Sequence, residues 1–265
     1  MIILLYLVLG AAAGLVAGLF GVGGGLIIVP ALLWVFNWQH FAGEIVTHLA
    51  IGTSLATIVI TSLSSIRAHH QRGAVVWPVV WRMAPGIACG SAVGALTAVS
   101  MSGSHLQFAF SLFVLLVAAQ LGFGLAPAAS RQLPGSIGLA ASGTVIGLVS
   151  SLFGIGGGSL TVPFLTWCNV VMQRAVAVSA ACGLPIALVG SLSYMVQGDG
   201  IAALPSASTG YVYWPAVIGI VLTSSPFARI GAALAHRLPA ALLKRIFALF
   251  MLVIGIRLLV GSGAF

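Results

Sequence analysis

A glycine-rich motif occurs twice in this chain and limits the possible folds more than any other feature. Residues 18–30 read GLFGVGGGLIIVP and residues 151–163 read SLFGIGGGSLTVP, with eight of thirteen positions identical at an offset of 133. A second pair follows in the same order, with GAVVWP at 73–78 and GYVYWP at 210–215. Two matches in one order indicate an internal duplication. We therefore predict two related halves, 1–125 and 135–265, joined by a linker over 126–134.

Charged residues are too scarce for a water-exposed surface. Of 265 residues, 60% are apolar and 5% are charged, whereas soluble domains carry about 25% charged residues. This composition also excludes disorder and predicts an integral membrane protein. The net charge of +8 is spread along the chain and forms no basic face, so nucleic acid is not an expected partner. No Lys-Ser/Thr follows either glycine triplet, which excludes a P-loop. We predict neither an enzyme nor a protein with a metal or cofactor.

Each half contains the same series of five hydrophobic segments. They cover 2–20, 26–36, 45–66, 75–99 and 106–125, then 137–153, 160–167, 175–196, 211–235 and 246–260. A full span needs about 20 apolar residues, so the second segment of each half is short. It is either a short span or the returning arm of a re-entrant hairpin. The expected fold is all-α, with eight to ten membrane segments.

The basic residues predict the topology. Either form of the hairpin returns the chain to its starting side, and three spans follow, so the second half is inverted relative to the first. Inversion places seven basic residues on one side: Arg67, Arg72, Arg131, Arg174, Arg237, Lys244 and Arg245. Glu44 and Asp199 lie on the other side. Because cytoplasmic loops are rich in Lys and Arg, both termini are predicted outside the cell.

The glycine triplets are the first candidate site. Gly23, Gly24 and Gly25, with their counterparts Gly156, Gly157 and Gly158, interrupt the helical hydrogen-bond ladder where lipid offers no replacement. A short helix starts after each triplet, and free N–H groups at a helix N-terminus favour an anion. Pro30 and Pro163 would kink or end these helices. The alternative is that the glycines only permit close helix packing.

A polar stripe in segment 45–66 is the second candidate site. It contains Thr47, His48, Thr53, Ser54, Thr57, Thr61 and Ser62. Ser54 aligns weakly with Ser179 in the second half, and such hydroxyls would hydrogen-bond an oxyanion. Alternatively, they bond back to the i−4 carbonyl of their own helix.

Three ionisable residues are candidates for anion binding or coupling. Glu44 and His48 are four residues apart, so they would share a helix face as a proton-coupling pair or a solvated helix start. Arg82 falls within a hydrophobic segment, where an ionisable residue suggests function. Its side chain would otherwise extend to the interface.

The duplicated glycine motif, AIGTSLA at 50–56 and the paired GAVVWP/GYVYWP motifs resemble the TauE/SafE sulfite exporter family over essentially the whole chain. The resemblance implies a bacterial inner-membrane transporter linked to export of sulfite, sulfoacetate or related sulfur-containing anions. The residues that match the family motif, and that the resemblance implies to be site residues, are Gly23–Gly25, Pro30, Thr53, Ser54, Gly156–Gly158, Pro163 and Ser179. Val178-Ser179 departs from the Thr-Ser that the family often shows.

These observations together predict a secondary transporter embedded in the lipid bilayer, with two inverted repeats. Each repeat is a glycine-broken hairpin of short helices plus three transmembrane helices. The expected activity is export of a small sulfur-containing oxyanion by alternating access. An anion channel and an importer of another small organic anion remain open as alternatives.

Overall fold

The structure is a computed structural model that describes residues 2–20, 24–124, 130–235 and 240–262. Within these ranges the chain is all-α apart from a two-residue β-ribbon. The helices are α1 Ile2–Phe20, α2 Gly25–Trp38, α3 Gly43–Gln71, α4 Trp77–Ser100, α5 Gly103–Gly122, α6 Ser136–Phe153, α7 Gly158–Trp167, α8 Met172–Gln197, α9 Trp214–Ala235 and α10 Ala240–Gly261. Strands β1 Ser208–Thr209 and β2 Val212–Tyr213 pair antiparallel before α9. Each of the ten hydrophobic segments coincides with a helix.

Helix length separates two short helices from the others. Within the described ranges, five helices are long and apolar enough to cross a membrane: α3, α4, α5, α6 and α8. In contrast, α2 has 14 residues and α7 has 10. At 1.5 Å per residue they extend about 21 and about 15 Å, less than the roughly 30 Å of a hydrocarbon core. Neither helix is therefore long enough to cross the hydrocarbon core by itself.

The most extensive helix contacts join the first five helices to the last five. Three glycines on α4 lie directly against backbone carbonyl groups of α6. The pairs are Gly86 with Ala140, Gly90 with Thr144, and Gly94 with Leu148. Residue numbers rise together along both helices, so α4 and α6 run parallel. The same arrangement recurs between α1 and α9, where Gly14 lies against the carbonyl of Ser224.

The remaining pairs between the two sets of helices run antiparallel. Gly122 of α5 lies beside Ala248 of α10, and Gln107 near the start of α5 donates to the Leu258 carbonyl over 3.0 Å. At the centre, α3 packs antiparallel against α8, with Leu55 against Gly190. These contacts place α3 and α8 together in the middle of the bundle.

Apolar side chains lie on the outside of the bundle and polar ones inside, which suits a bilayer and not water. Large apolar side chains cover the outer surface, and Ile137 and Phe123 are 87% and 81% exposed. Hydroxyl side chains lie inside, and Thr53, Ser54 and Thr57 are fully buried. This pattern suits a chain that has lipid outside and packs its polar groups against one another.

Three charged residues mark the two ends of the bundle. At one end the Arg131 guanidinium lies over the Trp167 ring, 4.9 Å from its centroid. Arg174 lines a neighbouring cavity of about 240 Å³ together with Val76 and Leu133. Glu44 lies at the opposite end, where its carbonyl contacts the first residue of α5.

Candidate functional site

The second glycine break, residues 154–157, is a tight loop between α6 and α7. Gly154 has φ of 70° and Gly157 has φ of 76°, so both occupy the left-handed region. Any other L-residue would be disfavoured there by about 1–2 kcal/mol. The N–H groups of Gly154 and Ile155 both donate to the Ser150 carbonyl and close the end of α6. Glycine occupies both left-handed positions without the steric penalty of a Cβ, so the Gly-rich sequence favours this loop.

The first break differs in its backbone. Gly24 caps α2 with φ of −67° and ψ of −23°, which are ordinary helical angles, and Gly23 lies outside the described residues. Pro30 and Pro163 lie inside α2 and α7, so neither proline ends its helix. Each proline lacks an N–H and thereby removes one intrahelical hydrogen bond.

The two breaks contact each other at the centre of the bundle. A Cβ atom on Gly25 would lie 2.6 Å from the Gly154 carbonyl oxygen and 2.7 Å from the Ile155 Cα. Gly156 lies against Ile58 of α3, and its carbonyl oxygen would lie 3.0 Å from a Cβ on Gly183 of α8. Both contacts fall near the midpoints of these long helices. The glycines therefore permit close packing, and they also bring the two interrupted segments together at mid-length.

Ser54 and Thr53 connect α3 to the second half of the chain. The Ser54 hydroxyl donates to the Gly154 carbonyl over 2.8 Å, and the Thr53 hydroxyl accepts from the Tyr213 N–H over 3.0 Å. Thr57 and Thr61 instead bond back to carbonyl groups of their own helix. The stripe therefore splits into residues that join the halves and residues that satisfy their own backbone.

Replacing Ser54 by alanine is expected to lower the free energy of unfolding by about 1–3 kcal/mol, because it leaves a buried carbonyl without its donor. Thermal unfolding of the purified protein in detergent measures the change. Thr57→Val is the matched control in the same helix, and it should change stability by less than about 0.5 kcal/mol. Equal effects of the two substitutions would contradict this role for Ser54.

Ser179 lies on the side of α8 that faces the second break. Its side chain is buried, with 3% exposed, and it sits one helical turn before Gly183, which contacts Gly156. Residues four apart share a helix face, so Ser179 and Gly183 point the same way. Its role in substrate binding stays a prediction.

The three ionisable candidates are not brought together. Glu44 is exposed, whereas His48 is buried. The His48 Nε2 lies 3.0 Å from the Ala98 carbonyl oxygen, and its ring lies 5.2 Å from that of Tyr211. Arg82 is exposed on the outer surface of α4. The proposed roles of all three in coupling or anion binding stay predictions.

Three hydroxyls around the second break escaped the sequence reasoning. The side-chain oxygens of Ser150, Ser159 and Thr161 are buried, and none has a hydrogen-bond partner among the described residues. The two motif copies differ at these positions, since GLIIVP in the first copy becomes GSLTVP in the second. This difference is the sequence signal that could have identified Ser159 and Thr161.

A bundle of apolar helices with two interrupted segments meeting at mid-length is the architecture of a multi-pass membrane transporter. A family model described as sulfite exporter TauE/SafE matches residues 6–258. The chain belongs to this family.

Similar proteins carry names that agree with this class. The chain is 38% identical to a probable membrane transporter protein of Haemophilus influenzae, over 97% of each chain. It is 27% identical to the probable membrane transporter protein YunE of Bacillus subtilis, over 95% of each. It is 26% identical to the probable membrane transporter protein MJ0441 of Methanocaldococcus jannaschii, over 79% of this chain and 75% of that protein. No solved structure matches the chain.

Proposed function

We propose that this protein is a secondary transporter of the bacterial inner membrane that exports a small sulfur-containing oxyanion, sulfite or an organosulfonate, by alternating access. The proposal includes two inverted repeats and both termini outside the cell. The observation that carries it is the contact between the two glycine breaks, Gly25 against Gly154 and Ile155, at mid-length of the bundle. Interrupted helices at the midplane between repeats are where secondary transporters bind substrates.

The helix directions support the inverted arrangement. Under the internal duplication, α1 corresponds to α6 and α4 corresponds to α9. The contact of α4 with α6 is then the counterpart of the contact of α9 with α1, and both pairs run parallel. In the other two contacts each helix packs against its own repeat equivalent: α3 against α8 and α5 against α10. Both of these pairs run antiparallel. A twofold axis in the membrane plane would produce these relations.

The distribution of charge supports the orientation. Arg131 and Arg174 lie at the end of the bundle where the α5–α6 linker meets the turn after α7. Glu44 lies at the other end. Because basic loops stay in the cytoplasm, the arginine-bearing end would face inward.

The direct test is flux of radiolabelled sulfite in proteoliposomes that hold the purified protein at a set potassium diffusion potential. We expect saturable flux that is accelerated by unlabelled sulfite on the far side, because an alternating-access transporter returns faster when it is loaded than when it is empty. For uniport of a monovalent anion, 100 mV would support an accumulation ratio of about 50-fold, since it contributes about 2.3 kcal/mol per charge. Liposomes without protein are the control.

Each contrary result identifies an alternative. Sulfite flux that does not depend on sulfite on the far side and does not saturate would indicate an anion channel instead of a transporter. Flux of another organic anion without sulfite flux would remove the substrate and favour an importer or exporter of that anion. No flux of any anion by folded protein would overturn the proposed function.

A further inference from the structure

Three buried hydroxyls beside the second glycine break have no hydrogen-bond partner in the part of the chain that the structure describes. Ser150 and Thr161 are fully buried, and the oxygens of both, with that of Ser159, have no hydrogen-bond partner among the described residues. A buried hydroxyl without a partner is unfavourable, and buried polar groups in folded proteins are almost always satisfied. Three such groups in one place require partners from outside the described chain, which are water or a ligand.

The hydroxyls converge on the start of α7. A Cβ atom placed on Gly157 would lie 3.3 Å from the Thr161 Oγ1 and 3.6 Å from the Ser150 Oγ. The main-chain N–H groups of Gly157, Gly158 and Ser159 have no acceptor within the described ranges. The Thr161 and Ser150 hydroxyls and the free N–H groups at the start of α7 therefore lie together around Gly157, an arrangement suited to an anion.

The first copy of the motif differs from the second in chemistry as well as in backbone angles. Gly24 corresponds to Gly157, and the position of its missing Cβ faces the Ile28 side chain, 2.9 Å from the Cδ1. Ile28 is the counterpart of Thr161 at the repeat offset of 133. Ser150 and Ser159 likewise correspond to Ala17 and Leu26. The first copy of the motif therefore offers an apolar wall where the second offers three hydroxyls.

The described part of the chain buries no full positive charge near Gly157. Among the described side chains, none of the buried ones is a Lys, Arg, Asp or Glu, and a helix N-terminus supplies only about half a unit of charge. The desolvation penalty of an ion grows with the square of its charge, whereas its attraction to fixed donors grows only linearly. A site of neutral donors therefore favours a monovalent anion over a divalent one.

We propose that the second break alone binds the transported anion, through Ser150, Ser159, Thr161 and the N–H groups that start α7. The ligand is a small monovalent oxyanion, such as a sulfonate or hydrogen sulfite. This inference rests on the proposed function and adds the ligating residues and the charge of the substrate. It makes the two repeats unequal in binding although they are related in fold.

The first arm of the test compares variants that differ by one hydroxyl. Thr161→Val and Ser150→Ala are each expected to weaken sulfite binding at least tenfold, measured by calorimetry on protein in nanodiscs, since a hydrogen bond to a charged group is lost. Both should leave the thermal midpoint of the ligand-free protein unchanged or raised, because an unsatisfied hydroxyl is removed.

The controls are hydroxyls on the same helices that already have partners. Thr166 of α7 donates to the carbonyls of Val162 and Pro163, and Ser142 of α6 donates to the Gly138 carbonyl. Thr166→Val and Ser142→Ala are expected to leave the affinity unchanged. If they weaken binding as much as Thr161→Val and Ser150→Ala do, the assigned site is wrong.

The second arm compares methanesulfonate and sulfate, which have similar size but differ by one charge, as competitors of sulfite binding to the wild-type protein. Methanesulfonate is expected to compete at least tenfold more strongly at matched ionic strength. Equal or stronger competition by sulfate would overturn the monovalent site. Wild-type protein that neither binds nor transports sulfite or any competitor would overturn the proposed function itself. Normal binding in the wild type and in all four variants would overturn only this inference.

Discussion

Replacing Gly157 by valine is expected to reduce the initial rate of sulfite flux about 100-fold, equivalent to about 2.7 kcal/mol. Gly157 has φ of 76°, which a β-branched residue adopts only at a substantial energetic penalty. The added Cβ would also lie 2.6 Å from the Ile186 Cδ1 and 3.3 Å from the Thr161 Oγ1. It would therefore take up the room beside the Thr161 and Ser150 hydroxyls. Flux in proteoliposomes, normalised to folded protein, measures the loss.

Gly200 provides a matched control for backbone strain. It also has φ of 76°, but a Cβ there would have nothing within 4 Å. Gly200→Val therefore introduces the same strain in an open loop, and its flux should stay within about twofold of the wild type. If Gly200→Val lost flux to the same extent, general destabilisation would explain the result and the special position of Gly157 would be refuted. Gly24→Val in the first break should reduce flux less than Gly157→Val.

Replacing Gly90 by leucine is expected to lower the free energy of unfolding by about 3 kcal/mol, at the upper end of overpacking effects. Gly90 lies directly against the backbone of Thr144 in the parallel contact between α4 and α6. A backbone group cannot rotate away as a flexible side chain would, so the two helices have to separate. Separation would also disturb the Ser151 hydroxyl, which donates to the Ser91 carbonyl over 2.6 Å across the same contact.

Thermal unfolding in detergent and the yield of protein in the membrane fraction both report this loss. Gly43 is the control, because a Cβ at this first residue of α3 has nothing within 4 Å. Gly43→Leu should leave both measurements close to those of the wild type. A Gly90→Leu protein as stable as Gly43→Leu would show that α4 and α6 do not depend on their close approach.

Much of the fold was accessible from the sequence because the lipid environment makes the hydrophobic pattern simple. The ten apolar segments coincide with helices of the described ranges, and the short helices α2 and α7 begin directly after Gly24 and Gly157. Family membership was also readable, since the duplicated motif covers positions that the family model matches. These features depend on local sequence, which a single chain displays directly.

The site was less accessible because its chemistry depends on which way each helix faces. Ser54 and Thr61 are both hydroxyl residues in one stripe, yet the first bonds a carbonyl in the other half and the second bonds its own helix. Sequence spacing does not distinguish these outcomes. Ser54 finds its partner in Gly154, 100 positions away along the chain, and only the packing of α3 against the second half brings the two together.

The main contacts of the first five helices are with the last five, and this has a consequence for biosynthesis. The closely packed face of α1 includes Gly10 and Gly14, and its partner α9 begins only at Trp214. A nascent chain therefore inserts its first helix long before the helix that covers it is made. Until α9 leaves the ribosome, the glycine face of α1 has to be covered by lipid or by the insertion machinery. A truncated first half would leave α1 and α4 without their main partners, so assembly has to wait for nearly the whole chain.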